Sequence, residues 1–121
     1  MPHVVIDEEP DLAAVLDAFE PETHREGATI AKTEEAFIDR DETSLVVRGL
    51  GVEEGQARPA LVRVDAREGD GVVRLEEAFR PEVHDAVMRL VALVAHRTLQ
   101  VTEAGVERTN VQAQLDAVRE G

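Results

Sequence analysis

The sequence predicts one α+β domain over residues 1–121. We expect an antiparallel meander of about four strands packed against a long, largely buried helix, with an N-terminal strand and helix and a C-terminal helix. A length of 121 residues suits a single domain. Residues 28–77 hold β-rich runs separated by turn-like clusters. Residues 81–97 form a helical pattern that is apolar around most of its circumference.

The N-terminal segment predicts a strand followed by a helix. The apolar, β-branched run HVVID (3–7) is typical of a strand. In EPDLAAVLDAFE, Pro10 suits the first helical turn, and four apolar residues recur on one helical face: Leu12, Val15, Leu16 and Phe19. Pro21 ends this helix. A second Pro-Glu start at 21–22 is expected to give only one turn, because Gly27 follows closely.

The middle of the chain predicts the sheet. Four β-rich runs follow one another: ATIAKTEEAFI, TSLVVRGLGV, ARPALVRVDA and VVRLEE. DRDE and REGDG lie between runs and are typical of turns. In the third run, small apolar residues alternate with Leu61, Arg63 and Asp65, so the two sets lie on opposite faces of the strand.

The helix predicted over 81–97 has an apolar surface too wide for one neighbour to cover. Its polar strip is limited to Asp85, Arg89 and His96. We expect the sheet to cover one side of the helix. Either the C-terminal helix or a second subunit covers the other side, which carries Met88, Ala92 and Ala95. The width of this belt favours a homodimer.

The C-terminal part is less regular. Residues 98–106 alternate like a strand, yet they could also prolong the preceding helix as far as Gly105. A final helix is expected in TNVQAQLDAVRE, where Thr109 and Gln112 have capping-box spacing. Its thin apolar stripe suits a surface helix or one that pairs with a partner, and it completes the predicted interface with Val111, Leu115 and Val118.

Charge is the strongest global signal. The chain has 26 acidic and 13 basic residues, a net charge of −13, and Lys32 is its only lysine. This pattern resembles proteins of salt-accumulating halophiles such as haloarchaea, in which a dense carboxylate surface keeps the protein hydrated. The alternative is an acidic protein from an organism with a GC-rich genome, since that coding bias also favours arginine.

Composition excludes several kinds of chemistry. The chain has no cysteine, so disulfides, thiol catalysis and thiolate metal sites are excluded. No N-terminal basic and apolar signal is present, and the longest apolar stretch is too short to cross a bilayer. We therefore expect a cytoplasmic protein, and no motif implies a cofactor.

Two short motifs have spacings found in catalytic or nucleotide-binding sites. Asp39-x-Asp41 is similar to the nucleophile motif of haloacid-dehalogenase-type phosphotransferases, but no βαβ pattern surrounds it, and a solvated hairpin turn is the simpler interpretation. Gly49-x-Gly51 lacks the third glycine and the following helix of a dinucleotide loop, which favours a turn or bulge. Ser44, the only serine, lacks a nucleophile context.

The histidines offer the remaining chemistry. DAFEPETH (17–24) and EAFRPEVH (77–84) nearly repeat each other, which places Glu22 with His24 and Glu82 with His84. Glu-x-His on a helix puts its two side chains on divergent faces, so the repeat is interpreted as helix punctuation. A metal site would require His24 and His84 to meet in space.

Three functions follow from these patterns. We expect a small, non-enzymatic interaction or regulatory module of a halophilic organism, because catalytic signatures are missing. One alternative is a small-ligand or metal-binding protein that uses His, Glu and Asp side chains. The other is a nucleic-acid-associated factor with a sheet face that carries Arg48, Arg63 and Arg74.

Overall fold

The computed structural model of the protein describes residues 1–76 and 84–120. In these residues the chain forms seven strands and three helices. The strands are β1 (His3–Ile6), β2 (Thr23–Glu26), β3 (Thr29–Ile38), β4 (Ser44–Glu53), β5 (Gln56–Arg67), β6 (Asp70–Leu75) and β7 (Val106–Thr109). The helices are α1 (Leu12–Ala18), α2 (Asp85–Thr102) and α3 (Gln112–Glu120).

The sheet is larger than the sequence predicted. All seven strands join one antiparallel sheet in the order β2-β3-β4-β5-β6-β1-β7, which curls into a half-barrel. The prediction of a four-stranded meander against a long helix is therefore wrong. The four long runs do form β3 to β6, but β1 and β7 extend the sheet beyond β6, and β2 extends it beyond β3.

The missed strands share a physical cause. β2 and β7 each have four residues, too few for a side-chain period to show in the sequence. Their conformation depends on backbone pairing with a neighbour: β2 pairs with β3 over Thr23–Glu26, and β7 pairs with β1. The segment after Pro21, expected to form a helical turn, is therefore the edge strand β2.

Helix α2 lies against one face of the sheet, which we call the inner face. Its buried residues Val87, Leu90, Val91 and Val94 share one core cluster with inner-face residues of five strands: Val4, Ala31, Val47, Val62, Val64 and Val73. Helix α1 adds Leu12 and Val15 to the same cluster. Burial of these aliphatic side chains is the main source of stability, at about 25 cal/mol per Å² of apolar surface removed from water.

Two glycines of β4 set the approach of α2 to the sheet. A Cβ atom on Gly49 would lie 2.7 Å from Cδ1 of Leu90, and one on Gly51 would lie 2.9 Å from the backbone nitrogen of Val87. Both distances are closer than van der Waals contact allows. Gly49-x-Gly51 therefore lies inside a strand, where the absence of side chains lets the helix pack closely, and the interpretation as a turn is wrong.

The boundaries of α2 also differ from the prediction of 81–97. The helix runs from Asp85 to Thr102, and residues 81–83 lie outside the described part of the chain. It ends where Glu103 adopts a left-handed conformation with φ 57° and donates its N–H to the carbonyl of Leu99. Residues 98–106 are thus helix as far as Thr102, and β7 begins at Val106.

Helix α3 covers the second side of α2. Leu115 and Val118 of α3 form a cluster with Ala92 and Leu93 of α2. The predicted start of α3 at Thr109 is wrong, because Thr109 belongs to β7. Its hydroxyl donates to the carbonyl of His3 (2.7 Å) and accepts from the Val111 amide (3.0 Å).

Among the helices in the described ranges, none is both long and apolar enough to cross a bilayer.

Candidate interaction surface on the outer face of the sheet

The sheet face opposite α2, which we call the outer face, is the largest feature that the core does not use. All three helices pack on the inner side, since their buried side chains belong to clusters built around the inner face or α2. Within residues 1–76 and 84–120, no helix lies over the outer face of β3 to β6. Partly or largely exposed apolar side chains occupy its centre: Ile30, Phe37, Val46, Leu50, Val52 and Leu61.

Strand register places these side chains together. Phe37 pairs with Val46, which in turn pairs with Arg63 on β5. One row along, Glu35 pairs with Arg48, and Arg48 pairs with Leu61. Directly paired residues point to the same face, so apolar and charged side chains are interleaved on the outer face.

A β-bulge decides which face Phe37 occupies. The register between β3 and β4 shifts between Thr33 and Glu35. Thr33 is buried on the inner face, and strict alternation from there would place Phe37 inward as well. The extra residue reverses the alternation, so Ala36 and Ile38 pack against the core and Phe37 stays 54% exposed.

The outer face holds a network of ion pairs centred on Asp65. Arg63 donates from Nε to Oδ1 of Asp65 at 2.7 Å, and Arg74 donates from a terminal guanidinium nitrogen to Oδ2 at 3.2 Å. Arg63 also donates to Glu76 at 3.1 Å and to the hydroxyl of Ser44 at 3.2 Å. Asp65 separates two arginines that are direct cross-strand neighbours and offsets their mutual repulsion.

These donors favour the charged form of Asp65. Burial opposes the charged form, yet the hydrogen bonds from Arg63 and Ser44 outweigh burial and hold the pKa of Asp65 below its usual value. The Ser44 hydroxyl donates to Oδ1 of Asp65 at 2.7 Å. The carboxylate side chain is only 15% exposed, so the network is part of the packed sheet surface.

Arg48 also lies beside carboxylates on the outer face. It forms an ion pair with Glu35 directly across the strand and lies 4.0 Å from a carboxylate oxygen of Glu34. In the centre of the outer face, three arginines therefore meet three close carboxylates: Arg48, Arg63 and Arg74 with Glu35, Asp65 and Glu76. These six charges cancel. Strand register places four more basic residues on the same face, Arg25, Lys32, Arg67 and Arg108, with Asp70 paired to Arg67, so the acidic excess of the chain lies on its other surfaces.

The arginines considered for nucleic-acid binding thus lie on one face, as the alternation of β5 suggested. Each of them is already held by at least one carboxylate. A phosphate would have to compete with Glu35 or Asp65 for the guanidinium group. This arrangement does not favour phosphate binding.

The histidine candidates lie at different places. His24 is buried on β2, with Nε2 at 3.2 Å from the carbonyl oxygen of Ala117 in α3. His84 precedes α2 and has Nδ1 at 3.8 Å from Oε2 of Glu53. Glu22 forms an ion pair with Arg97, with 2.8 Å between a guanidinium nitrogen and a carboxylate oxygen. Glu82 lies outside the described residues. In the described part of the chain, no three His, Asp or Glu side chains converge as a metal site.

The residues predicted as a dimer contact have neighbours within the chain. Ala92 and Ala95 are completely buried, Ala92 in the cluster with α3 and Ala95 in the main core. Val111, Leu115 and Val118 are buried too, and Met88 is partly buried against the core. The second side of α2 is thus covered by α3 of the same chain. The sequence was compatible with this arrangement and with coverage by a second subunit.

Asp39 organises a turn. Its carboxylate accepts from the Thr43 amide (2.8 Å), the Thr43 hydroxyl (2.9 Å) and the Ser44 amide (3.2 Å). The Ser44 amide is the main reason that the pKa of Asp39 lies below its usual value, and burial opposes it only in part. The Asp39-x-Asp41 motif is therefore the β3–β4 turn, stabilised by an aspartate side chain.

Two of the concave regions lie beside the sheet, away from the centre of the outer face. A narrow apolar slot between α1, α2 and the inner face is closed at one side by Arg97 and Glu22. An open groove of about 460 Å³ lies beside the β3–β4 turn, and half of its lining residues are acidic, among them Glu9, Asp11, Asp41 and Glu68. Among the described residues, neither lining contains a serine, cysteine or histidine. The outer face, which the sequence analysis considered only for its arginines Arg48, Arg63 and Arg74, is the better candidate.

Comparisons with protein-family models, with curated proteins and with solved structures found no match to this chain.

Proposed function

We propose that this protein is a small, non-enzymatic interaction module that binds another protein surface through the outer face of its sheet. The observation that carries this proposal is a band of partly exposed apolar side chains, with Phe37 54% exposed, interleaved with ion pairs. Exposed apolar patches of this kind, bordered by polar residues, mark interaction sites. Because Arg48, Arg63 and Arg74 already pair with carboxylates of the chain, a partner need not supply charges to neutralise them.

The chemistry elsewhere supports a non-enzymatic function. Asp39, the strongest motif for catalysis, is engaged by the backbone of its own turn. Ser44, the only serine, donates its hydroxyl to Asp65 and accepts from Arg63. His24 and His84 contact separate partners, a backbone carbonyl and Glu53.

We further propose that the module works in the cytoplasm of a salt-accumulating organism. A net charge of −13 on 121 residues is costly at low ionic strength through self-repulsion. At about 1 M salt the Debye length falls to about 3 Å, and the repulsion is largely screened. The outer face, which lacks the acidic excess of the other surfaces, is then the surface on which an apolar contact meets the least electrostatic opposition.

Cysteine probes test the proposed interaction surface, because the natural chain contains no cysteine. Glu35→Cys places a thiol on the outer face, and Asp41→Cys places a matched thiol in the β3–β4 turn. Both positions are exposed, and both substitutions remove one negative charge. The rate of maleimide labelling is measured for each variant in a high-salt cell extract of the source organism and in dilute purified protein.

We expect Glu35→Cys to be labelled at least several-fold more slowly in the extract than in dilute solution, with Asp41→Cys unchanged. Equal labelling rates for the two thiols in both solutions would mean that the outer face is unoccupied, which contradicts the proposal.

A further inference from the structure

We infer that the occupant of the outer face is a second copy of this chain, bound face to face so that two sheets form a sandwich. This inference rests on the proposed function and names its partner. Packed sheets of this kind lie about 10 Å apart, with the side chains of the two facing surfaces between them. Phe37 and Val46 would lie in the contact, and Arg48 with Glu35 beside them.

Electrostatics select this face for self-association. In a twofold dimer the same surface meets itself, so a surface with a large excess of one charge would repel its copy. The outer face mixes acidic and basic residues, because Arg25, Lys32, Arg108 and the Arg67–Asp70 pair join the three close ion pairs, whereas the acidic excess of the chain lies on its other surfaces. Contact between two copies through any strongly acidic surface would be repulsive. The outer face is where two copies can approach with the least repulsion.

The dimensions of the face set the expected affinity. Strands β3, β4 and β5 contain 10, 10 and 12 residues. At about 3.3 Å per residue and about 4.8 Å between strands, they offer a face of roughly 33 by 15 Å, or about 500 Å². Stable interfaces typically bury about 800 Å² per partner. A curved face of this size gives a reversible dimer whose population depends on concentration.

The same features oppose single-stranded nucleic acid as the occupant. Nucleic-acid-binding sheets offer free cations and several aromatic platforms for base stacking. Here Phe37 is the only exposed aromatic side chain in the described residues, and carboxylates hold four of the basic residues of the face, Arg48, Arg63, Arg67 and Arg74. The two occupants also have opposite salt dependence. Added salt screens repulsion between two acidic chains but weakens contacts to phosphate.

Light scattering after size exclusion tests the inference. The chain has no Trp or Tyr, so refractive index is the appropriate concentration signal. Mass is measured from micromolar to about millimolar protein in 0.1 M and 2 M KCl for the wild type, Phe37→Glu and Ala113→Glu. Ala113 is exposed on α3, so its variant adds the same charge away from the outer face.

We expect the wild-type mass to rise with concentration toward twice the 13.3 kDa chain mass, at lower protein concentration in 2 M than in 0.1 M KCl. Ala113→Glu should behave like the wild type, and Phe37→Glu should shift the midpoint at least tenfold to higher concentration. Circular dichroism and a urea titration confirm that Phe37→Glu is folded.

Three outcomes would overturn the second copy as occupant. The first is a wild-type monomer at all concentrations in 2 M KCl. The second is an equal effect of both variants. The third is a monomer that binds a labelled mixed-sequence oligonucleotide in 0.1 M KCl. If the thiol of Glu35→Cys is nevertheless protected in the extract, the interaction surface stands and its partner is a different molecule.

Discussion

Phe37 and Val46 lie directly opposite each other on β3 and β4, on the face of the sheet that no helix covers among the described residues. The bulge between Thr33 and Glu35 brings Phe37 to this face, whereas its neighbours Ala36 and Ile38 pack against the core. A bulge that exposes the largest side chain of its strand lowers the apolar burial of the single chain. This arrangement is consistent with a face that is covered in an assembly.

Stability should depend on salt. Because self-repulsion of a chain with net charge −13 is screened by salt, we expect the melting temperature to rise between 0.1 and 2 M KCl. The rise should be roughly 10 °C or more, equivalent to about 2–3 kcal/mol. Thermal melts followed by far-ultraviolet circular dichroism measure it.

A charge-reduced variant provides the control for this prediction. Replacement of the exposed carboxylates Glu8, Glu54 and Glu68 by Gln should reduce the salt dependence. A melting temperature that is flat across the KCl range would contradict a halophilic adaptation.

Asp65→Asn should remove the centre of the ion-pair network. The carboxylate accepts from Arg63, Arg74 and Ser44 and is largely buried, so the variant should lose about 1.5–3 kcal/mol of unfolding free energy at pH 7. The folded-state pKa of Asp65 lies below its unfolded value of about 3.9. Its ionisation therefore stabilises the fold above that value, and this stabilisation is lost as pH falls through the folded pKa.

The difference in unfolding free energy between wild type and Asp65→Asn is measured by urea denaturation at pH 7, 5 and 3. It should be similar at pH 7 and 5 and smaller at pH 3. Asp41→Asn, in an exposed turn, serves as the control and should change little. A gap that stays constant down to pH 3 would show that Asp65 contributes through packing and not through its charge.

Gly51→Ala should separate α2 from the sheet. The added Cβ atom would lie 2.9 Å from the backbone of Ala86 and Val87, so the helix must shift. Overpacking of this kind costs about 1–3 kcal/mol. Val52→Ala, one residue along on the outer face, is the matched control and should cost less than about 1 kcal/mol. If the urea concentration at the unfolding midpoint fell equally in the two variants, this would argue against close packing at Gly51.

His24→Ala should loosen α3. His24 is buried, and its Nε2 bonds to the carbonyl of Ala117, which ties the end of α3 to the edge strand β2. Loss of this bond should cost about 1–3 kcal/mol and speed amide exchange in α3. Arg25→Ala, the exposed neighbour on β2, should leave that exchange unchanged. Unaltered α3 exchange in His24→Ala would mean that α3 is held by Leu115 and Val118 alone.

Long patterns in the sequence predicted structure well, and short or tertiary features escaped it. The alternation in β5 placed Arg63 and Asp65 on the face opposite Val62 and Val64, as the strand register confirms. The edge strand β2 was missed because His24 and its neighbours form a strand only through pairing with β3.

The arginines of the outer face were predicted to share one sheet face, but its apolar side chains were missed for a related reason. Its largest apolar side chain, Phe37, reaches that face through a bulge, which has no signature in the pattern of β3. The interface was instead assigned to α2, where the wide apolar belt around Ala92 is met by Leu115 and Val118 of the same chain. Periodicity shows that a helix face must be covered, but it does not show which element covers it.

Occupation of the outer face by a second copy is tested most directly by Phe37→Trp, which places the only tryptophan of the chain on that face. Its emission is recorded in 2 M KCl from micromolar to about millimolar protein, with Arg40→Trp in the exposed β3–β4 turn as the reference. We predict that Phe37→Trp emission shifts to shorter wavelength as concentration rises, in parallel with the scattering mass, while Arg40→Trp emission stays constant. Emission from Phe37→Trp that stays unshifted over the whole concentration range would contradict burial of the outer face by a second copy.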